Sequence, residues 1–324
     1  MAAAEQIKSL IKFFGEGDDD RFYTVAMQIA ASEARKGHTN VAQELKSLIE
    51  KAKSNRSQTF SDRNRTIPIL QPKRELKDIL DVFHPKIKLK DMILDIQVST
   101  SLKKIIQEQE NWETLQKFNL APRRKLLLTG PPGCGKTMTA QALAGELGLP
   151  VFIVRLDGVV SKFMGESIAK LRLIFDTMPE NRGVYLFDEF DSIGSHRDQG
   201  QDVGEIKRIL NSFLINIEKD QSNSIIIAAT NLPEMLDKAL FRRFDDVIQY
   251  PLPTIKEIAS TLKKNLQAFD FIDKIDYSNI AKIALGLNYS DIVRASEDTI
   301  KEMIMGGSEK LSKKDLIKAL EKRK

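Results

Sequence analysis

Residues Gly130-Pro131-Pro132-Gly133-Cys134-Gly135-Lys136-Thr137 read GPPGCGKT and fit the pattern G-x-x-x-x-G-K-[ST]. Upstream lies the apolar run Lys125–Thr129, Lys-Leu-Leu-Leu-Thr; downstream, from Met138, comes the Ala- and Leu-rich stretch MTAQALAGELG. Strand, glycine loop and helix in that order are the context a phosphate-binding loop requires. The glycines let the backbone approach a β-phosphate, and the helix that follows adds the positive end of its dipole. On this reading Gly130, Pro131, Pro132, Gly133, Cys134, Gly135 and Met138 surround the phosphates, Lys136 bridges the β- and γ-phosphates, and Thr137 holds Mg²⁺. The expected cofactors are ATP and Mg²⁺.

Outward from the loop, Val184-Tyr-Leu-Phe-Asp188-Glu189 is an apolar strand ending in two carboxylates, about fifty residues further on. A strand end beside the loop lets Asp188 hold the metal ion through water and Glu189 activate the attacking water. Ile225–Thr230 ends at Asn231, whose neutral amide can bond a γ-phosphate or the lytic water without adding charge. Apolar, β-rich runs at Lys125–Thr129, Val151–Val154, Val184–Phe187, Ile225–Thr230 and Val247–Tyr250 alternate with helical patterns at Met138–Leu147, Ser167–Thr177 and Val203–Glu218. That alternation predicts an α/β fold: a parallel sheet flanked by helices on both faces.

Before the sheet, Leu76–Phe83 and Leu102–Phe118 read as helices. After Pro251-Leu-Pro253 the strand signals stop, and Ile255–Phe269, Tyr277–Leu285, Tyr289–Met305 and Lys313–Leu320 predict a helical subdomain, its last helix capped from Ser312. The first 53 residues carry apolar positions at helical spacing in 4–14, 20–36 and 41–53, broken at Gly15-Glu16-Gly17 and Gly37-His38-Thr39-Asn40. The expected organisation is a three-helix domain at 1–53, a basic linker at 54–75, an α/β ATPase domain at 76–250 and a helical lid at 251–324.

The 324 residues carry a net charge of +5, and the stretch Lys51–Lys77 alone holds an excess of +6. Charge runs without aromatics are usually solvated linkers; the sharper reading is attraction to nucleic acid or an acidic partner. One cysteine, Cys134, allows no intrachain disulfide and reads as a small residue filling a loop position. No apolar run approaches the ~20 residues of a membrane helix. Glu5 and Lys8 interrupt the apolar start, so a secretory leader is not expected and a cytoplasmic location is.

Taken together, Gly130–Thr137, LFDEFDSIG (Leu186–Gly194), AATN (Ala228–Asn231) and LDKALFRRFDD (Leu236–Asp246) resemble the motifs of the AAA subgroup of the AAA+ ATPases, over about residues 90–324. The resemblance implies that Arg242 and Arg243 are arginine fingers, in the Arg-Arg-Phe form of katanin- and spastin-like members, and that they reach the γ-phosphate of a neighbouring subunit. A ring, usually a hexamer, is implied with them. Lys162-Phe163-Met164-Gly165-Glu166-Ser167 is similar to the family's first pore loop, in which Phe163 and Met164 would grip an extended polypeptide; His196–Gly204 takes the place of the second. Two stretches depart from the family. Gly286-Leu-Asn-Tyr289-Ser290-Asp291 has Tyr289 where glycine is expected in the lid, with Arg294 one turn later as a candidate substitute sensor. Ile93-Leu-Asp95-Ile-Gln-Val lacks the usual Asp-hydrophobic-x-Gly segment of the adenine pocket.

The leading functional expectation is a homo-oligomeric protein remodeller that threads a protein client through a central pore. A second is an ATPase that feeds or regulates a separate protease, subtilisin-like in small bacterial proteins of this kind. With only His38, His84 and His196 and no H-E-x-x-H, a zinc protease is not fused within this sequence. A nucleic-acid motor rests on the basic linker alone, and a non-catalytic scaffold would require a broken motif where Lys136, Asp188 and Glu189 are all in place.

Overall fold

The apolar runs become the inside of one sheet. The computed structural model describes residues 25–27, 29–30, 32, 38, 41–49, 76, 79–155, 164–190, 203–235, 238–272 and 275–324. Strands β1 (Leu80–Phe83), β2 (Lys125–Thr129), β3 (Val151–Val154), β4 (Val184–Phe187), β5 (Ile225–Thr230) and β6 (Asp246–Gln249) form a six-stranded sheet in the order β1-β3-β4-β5-β2-β6. From β3 to β6 all neighbours pair in parallel, while β1 runs antiparallel to β3. Every residue of β4 and β5 is buried, as strands covered on both faces must be.

Helices α1 (Ile96–Glu110), α2 (Trp112–Lys117), α3 (Lys136–Leu147), α4 (Met164–Thr177), α5 (Val203–Lys219) and α6 (Lys238–Phe241) accompany the sheet. Because side chains alternate along a strand, the sheet has two separate cores. Leu126, Leu128, Leu186 and Ile227 pack with Val98, Leu102 and Ile105 of α1 and Ala140 and Leu143 of α3. Leu127, Tyr185, Phe187 and Ile226 pack on the other face with Phe175 of α4 and Phe213 of α5. In the second core the Phe213 ring lies 4.8 Å from Phe187 and 4.5 Å from Phe190, so aromatic packing supports the chain on both sides of Asp188-Glu189.

Helices α7 (Ile255–Leu266), α8 (Tyr277–Ile283), α9 (Tyr289–Met305) and α10 (Lys313–Glu321) enclose a third core built on Ile258, Leu262, Ile280, Ile292 and Leu316. All four begin with a side-chain cap: Thr254, Asp276, Asn288 and Ser312 each accept a first-turn N–H. The expected Ser312 cap is thus present.

Two expectations need correction. Leu76–Phe83 is not a helix: Leu80–Phe83 is an edge strand, although Leu76, Ile79 and Leu80 are buried at helical spacing. Spacing over eight residues does not separate the two states, and β3 decides between them, because a helix there would leave its edge N–H and C=O groups unpaired. The Arg155 N–H extends the pairing to the Ile79 carbonyl at 2.9 Å. Leu102–Phe118 is two helices, broken at Asn111, and the first begins earlier because Asp95 caps it through the N–H groups of Gln97 and Val98.

The chain divides into two compact units, Met1–Thr66 and Ile67–Lys324, and the sheet and lid both lie in the second. In the first unit 25–27, 29–30, 32 and 41–49 are helical; the helix expected at 4–14 and the linker expected at 54–75 fall outside the described residues.

Candidate active site

The strand order β4-β5-β2 decides which side chains meet. These three strands are adjacent and parallel, so Asp188, Asn231 and the loop Gly130–Thr137 leave the same carboxyl edge, spaced by ~4.8 Å per strand. The Lys136 ammonium is buried and donates to the carbonyls of Gly130 at 2.7 Å and Pro131 at 2.8 Å, and to Asn231 Oδ1 at 2.8 Å. It therefore ties the loop to the neighbouring strand end. The loop also has a floor that the sequence alone did not reveal. Gly130 sits at φ 137°, where a Cβ would lie 2.2 Å from the Tyr250 carbonyl oxygen. The Tyr250 hydroxyl donates to Thr139 Oγ1 at 2.7 Å, and Thr139 donates to the Gly135 carbonyl at 3.0 Å. Burial pushes the Tyr250 phenol far above its ordinary pKa, so it stays a protonated donor. Its position at the end of an apolar strand was its one sequence signal.

Thr137 Oγ1 donates to Asp188 Oδ2 at 2.5 Å, and Asp188 Oδ1 accepts the Glu189 N–H at 2.9 Å. Glu189 is exposed, at φ 50°, the left-handed region that a non-glycine residue rarely occupies. The Phe190 N–H to the Ala229 carbonyl, 2.9 Å, fixes the next residue on β5 and so maintains that turn. A hydroxyl and a carboxylate in contact beside a phosphate loop are hard oxygen donors of the kind Mg²⁺ takes together with phosphate and water. Among the described residues no group of three or more His, Cys, Asp or Glu could hold a metal by itself.

Cys134 is 2% exposed, and burial raises its thiol pKa, the reverse of an activated thiolate. Pro131, Pro132 and Met138 line the outer part of the loop, partly or well exposed. The lid meets the loop directly: a Cβ on Gly133, φ 72°, would lie 2.5 Å from Asn288 Oδ1, and the Ser290 N–H donates to the Gly133 carbonyl at 3.2 Å. Tyr289 between them is half-buried, with Glu257, Cys134 and Asp95 in reach; desolvation foremost, and then the Glu257 carboxylate, push its phenol well above the ordinary value. Arg294 is exposed one turn further along α9. Asn288 and Ser290 were thus missed as loop contacts, because an Asn before a helix signals only its cap.

Arg242 and Arg243 lie elsewhere. Strands β2 and β6 are parallel with Leu126 opposite Asp246 and Thr129 opposite Gln249, so the arginines precede β6 at the amino edge while the loop follows β2 at the carboxyl edge. From Leu126 to Gly130 is ~13 Å of strand at ~3.3 Å per residue. Arg242 is exposed, and Arg243 Nε lies 2.8 Å from Glu218 Oε1 near the end of α5. Around them is an acid–base frame: Arg123 pairs with Glu108 and Asp246 at 2.7 and 2.6 Å, Arg124 pairs with Asp220, and Asp245 Oδ2 accepts the N–H groups of Arg124 and Lys125 at 2.9 Å each. Lys162 and Phe163 lie outside the described residues, as does most of His196–Gly204; Met164 begins α4.

Residues 126–252 match the family model described as the ATPase family associated with various cellular activities, AAA. The chain is similar to an uncharacterized AAA family ATPase of Sinorhizobium fredii, 32% identical over 99% of this chain and 95% of that protein. It also resembles the ATP-dependent zinc metalloprotease FtsH of Caldicellulosiruptor bescii, 35% identical over 59% of this chain and 32% of that protein. The FtsH of Halothermothrix orenii is 30% identical over 70% of this chain and 37% of its own length, so the chain spans about a third of either metalloprotease. A mostly parallel sheet carrying this loop at one edge, with a relative matched nearly end to end, makes the chain a member of the AAA family of ATPases.

Proposed function

We propose that the chain is an ATP-driven protein remodeller that works as a ring, usually a hexamer in this family, and threads a protein client through its centre. One observation carries the reading: Arg242 and Arg243 stand at the amino edge of the sheet, with the length of β2 between them and their own subunit's phosphate loop. Arginines there serve a γ-phosphate held by an adjacent copy, so hydrolysis belongs to the boundary between two subunits. In each copy Gly130–Thr137 cradles the phosphates, Thr137 and, through water, Asp188 hold Mg²⁺, Glu189 acts on the lytic water, and Asn231 contacts it or the γ-phosphate. The katanin- and spastin-like Arg-Arg-Phe arrangement belongs to this reading, as do the domain boundaries at 53, 75 and 250 and a cytoplasmic location. No helix among the described residues is long and apolar enough to cross a membrane.

The similarity to two metalloproteases supports a polypeptide as the object of the work, with Lys162, Phe163 and Met164 as the gripping loop. A separate protease fed by this ring is the second reading. Nucleic acid is the least favoured partner, because it rests on the basic stretch Lys51–Lys77 alone.

Glu189→Gln provides the test. It should bind ATP yet hydrolyse it at least ~100-fold more slowly, which freezes the ring on its cargo for capture. Captured protein that is lost when Phe163→Ala is added to the trap supports threading; captured nucleic acid, or cargo retained without Phe163, overturns it.

A further inference from the structure

Helix α9 does not satisfy its first turn by itself. Of the four N–H groups that an α-helix leaves without intrahelical partners, that of Asp291 goes to the Asn288 side chain at 2.9 Å, and that of Ser290 crosses to the Gly133 carbonyl at 3.2 Å. The Ser290 hydroxyl adds a longer donation to the same oxygen, 3.4 Å. Asn288 also stands against the face of Gly133, which has no side chain to keep it away. The lid therefore holds one particular peptide of the loop, the one joining Gly133 to Cys134.

A trans peptide is planar, with its C=O and N–H antiparallel. Fixing the Gly133 carbonyl toward the lid turns the Cys134 N–H the opposite way, and loops of this type bind phosphate through such N–H groups. We infer that Ser290 is a positioning residue for phosphate binding: through its backbone N–H, the lid orients the Gly133–Cys134 peptide so that the Cys134 N–H faces the phosphates. The inference rests on the reading of Gly130–Thr137 as the phosphate loop. It gives Tyr289-Ser290, the stretch that departs from the family pattern, a task that needs no glycine at 289.

Cys134 is the sole cysteine, so protein labelled with ¹⁵N-cysteine yields a single backbone amide signal from the intact chain. In the wild type, Mg·ADP should move that signal downfield. Proline, tolerated in the first turn of a helix, removes the N–H in Ser290→Pro; Ser290→Ala keeps it. Ser290→Pro should bind ADP about tenfold more weakly, the size expected for one hydrogen bond to a charged group, with a smaller signal shift and a raised KM for ATP at unchanged kcat. Ser290→Ala, which loses only the longer hydroxyl contact, should weaken ADP binding and the signal shift clearly less than Ser290→Pro. If Ser290→Pro does not fold by circular dichroism, Asn288→Gly, a substitution helix caps tolerate, should give a weaker form of the same change. Wild-type affinity and shift in Ser290→Pro, or in Asn288→Gly where Ser290→Pro does not fold, overturn the inference and leave the loop reading intact. A wild-type signal that stays still while calorimetry records ADP binding overturns the loop reading itself.

Discussion

The two ends of strand β2 are built from opposite materials. At its carboxyl end the chain turns on glycines, and the contacts are made by backbone carbonyls, one buried ammonium and the Tyr250–Thr139 floor. At its amino end Arg123 and Arg124 are held by Glu108, Asp220, Asp245 and Asp246, and two further arginines stand beside them, Arg242 exposed to solvent. The first end is furnished to receive a ligand. The second holds its cations in place with carboxylates. One strand thus joins the phosphate loop to the arginine-rich edge, so that on the proposed reading a subunit's own nucleotide and the arginines it would offer a neighbour are mechanically joined.

Substitution at each end should separate these roles. The largest effect is expected from Arg243→Ala: turnover should fall ~10³-fold, in the range of a lost arginine finger, with ATP affinity kept. Mixing it with Glu189→Gln subunits should return part of the activity, since each supplies what the other lacks. An absence of recovery at every mixing ratio would place the arginine's action within its own subunit and remove the contrast.

Arg124→Met takes away the residue that joins β2 to Asp220. We expect kcat to fall ~10-fold, by analogy with misplaced catalytic groups, and KM for ATP to stay within about twofold. Tyr250→Phe should do the reverse, raising KM about fivefold for one lost hydrogen bond and leaving kcat alone. Steady-state kinetics on the two variants therefore reads each end separately; equal changes in both constants for both variants would dissolve the distinction.

The smallest effect concerns acid. The Arg123 guanidinium, chiefly through its hydrogen bonds, holds the Glu108 carboxyl below its ordinary value of 4.5. A carboxylate with a depressed folded pKa contributes stability that is complete above the unfolded value and is lost as pH falls through the folded one. Thermal midpoints of wild type and Glu108→Gln should thus differ modestly at pH 7 and converge below about pH 4.5. A gap that widens on acidification would mean that the pair does not stabilise the fold.

Much of this architecture was legible because it rests on local chemistry. The runs at β2, β4 and β5 are apolar on both faces and admit few alternatives, and Gly130–Thr137 carries its own context. What could not be read was tertiary. Leu80–Phe83 becomes a strand because β3 has an edge to fill, a fact located seventy residues away. Tyr250, Asn288 and Ser290 reach the loop only once β6 and α9 have folded beside it; each looks like an ordinary strand-end or cap residue in sequence. Arg123 and Arg124 carry no motif, and Asp246 and Asp220 meet their guanidinium groups only in the folded chain. The arginine pair at 242 and 243 was readable by motif, yet its distance from its own loop needed the parallel register of β2 and β6.

Strand β1 has one more consequence, and it is about load. Its antiparallel register sets Leu80 beside Val154 and Phe83 beside Val151, and the Ile79 carbonyl holds Arg155. The chain thus enters the sheet alongside the point where β3 leaves it for residues 156–163, the stretch that runs on to Met164. Tension applied before Ile79 and borne by the chain that follows Arg155 would act at one end of the β1–β3 ladder, loading the Arg155–Ile79 bond and the Leu80–Val154 pair first, as in a zipper.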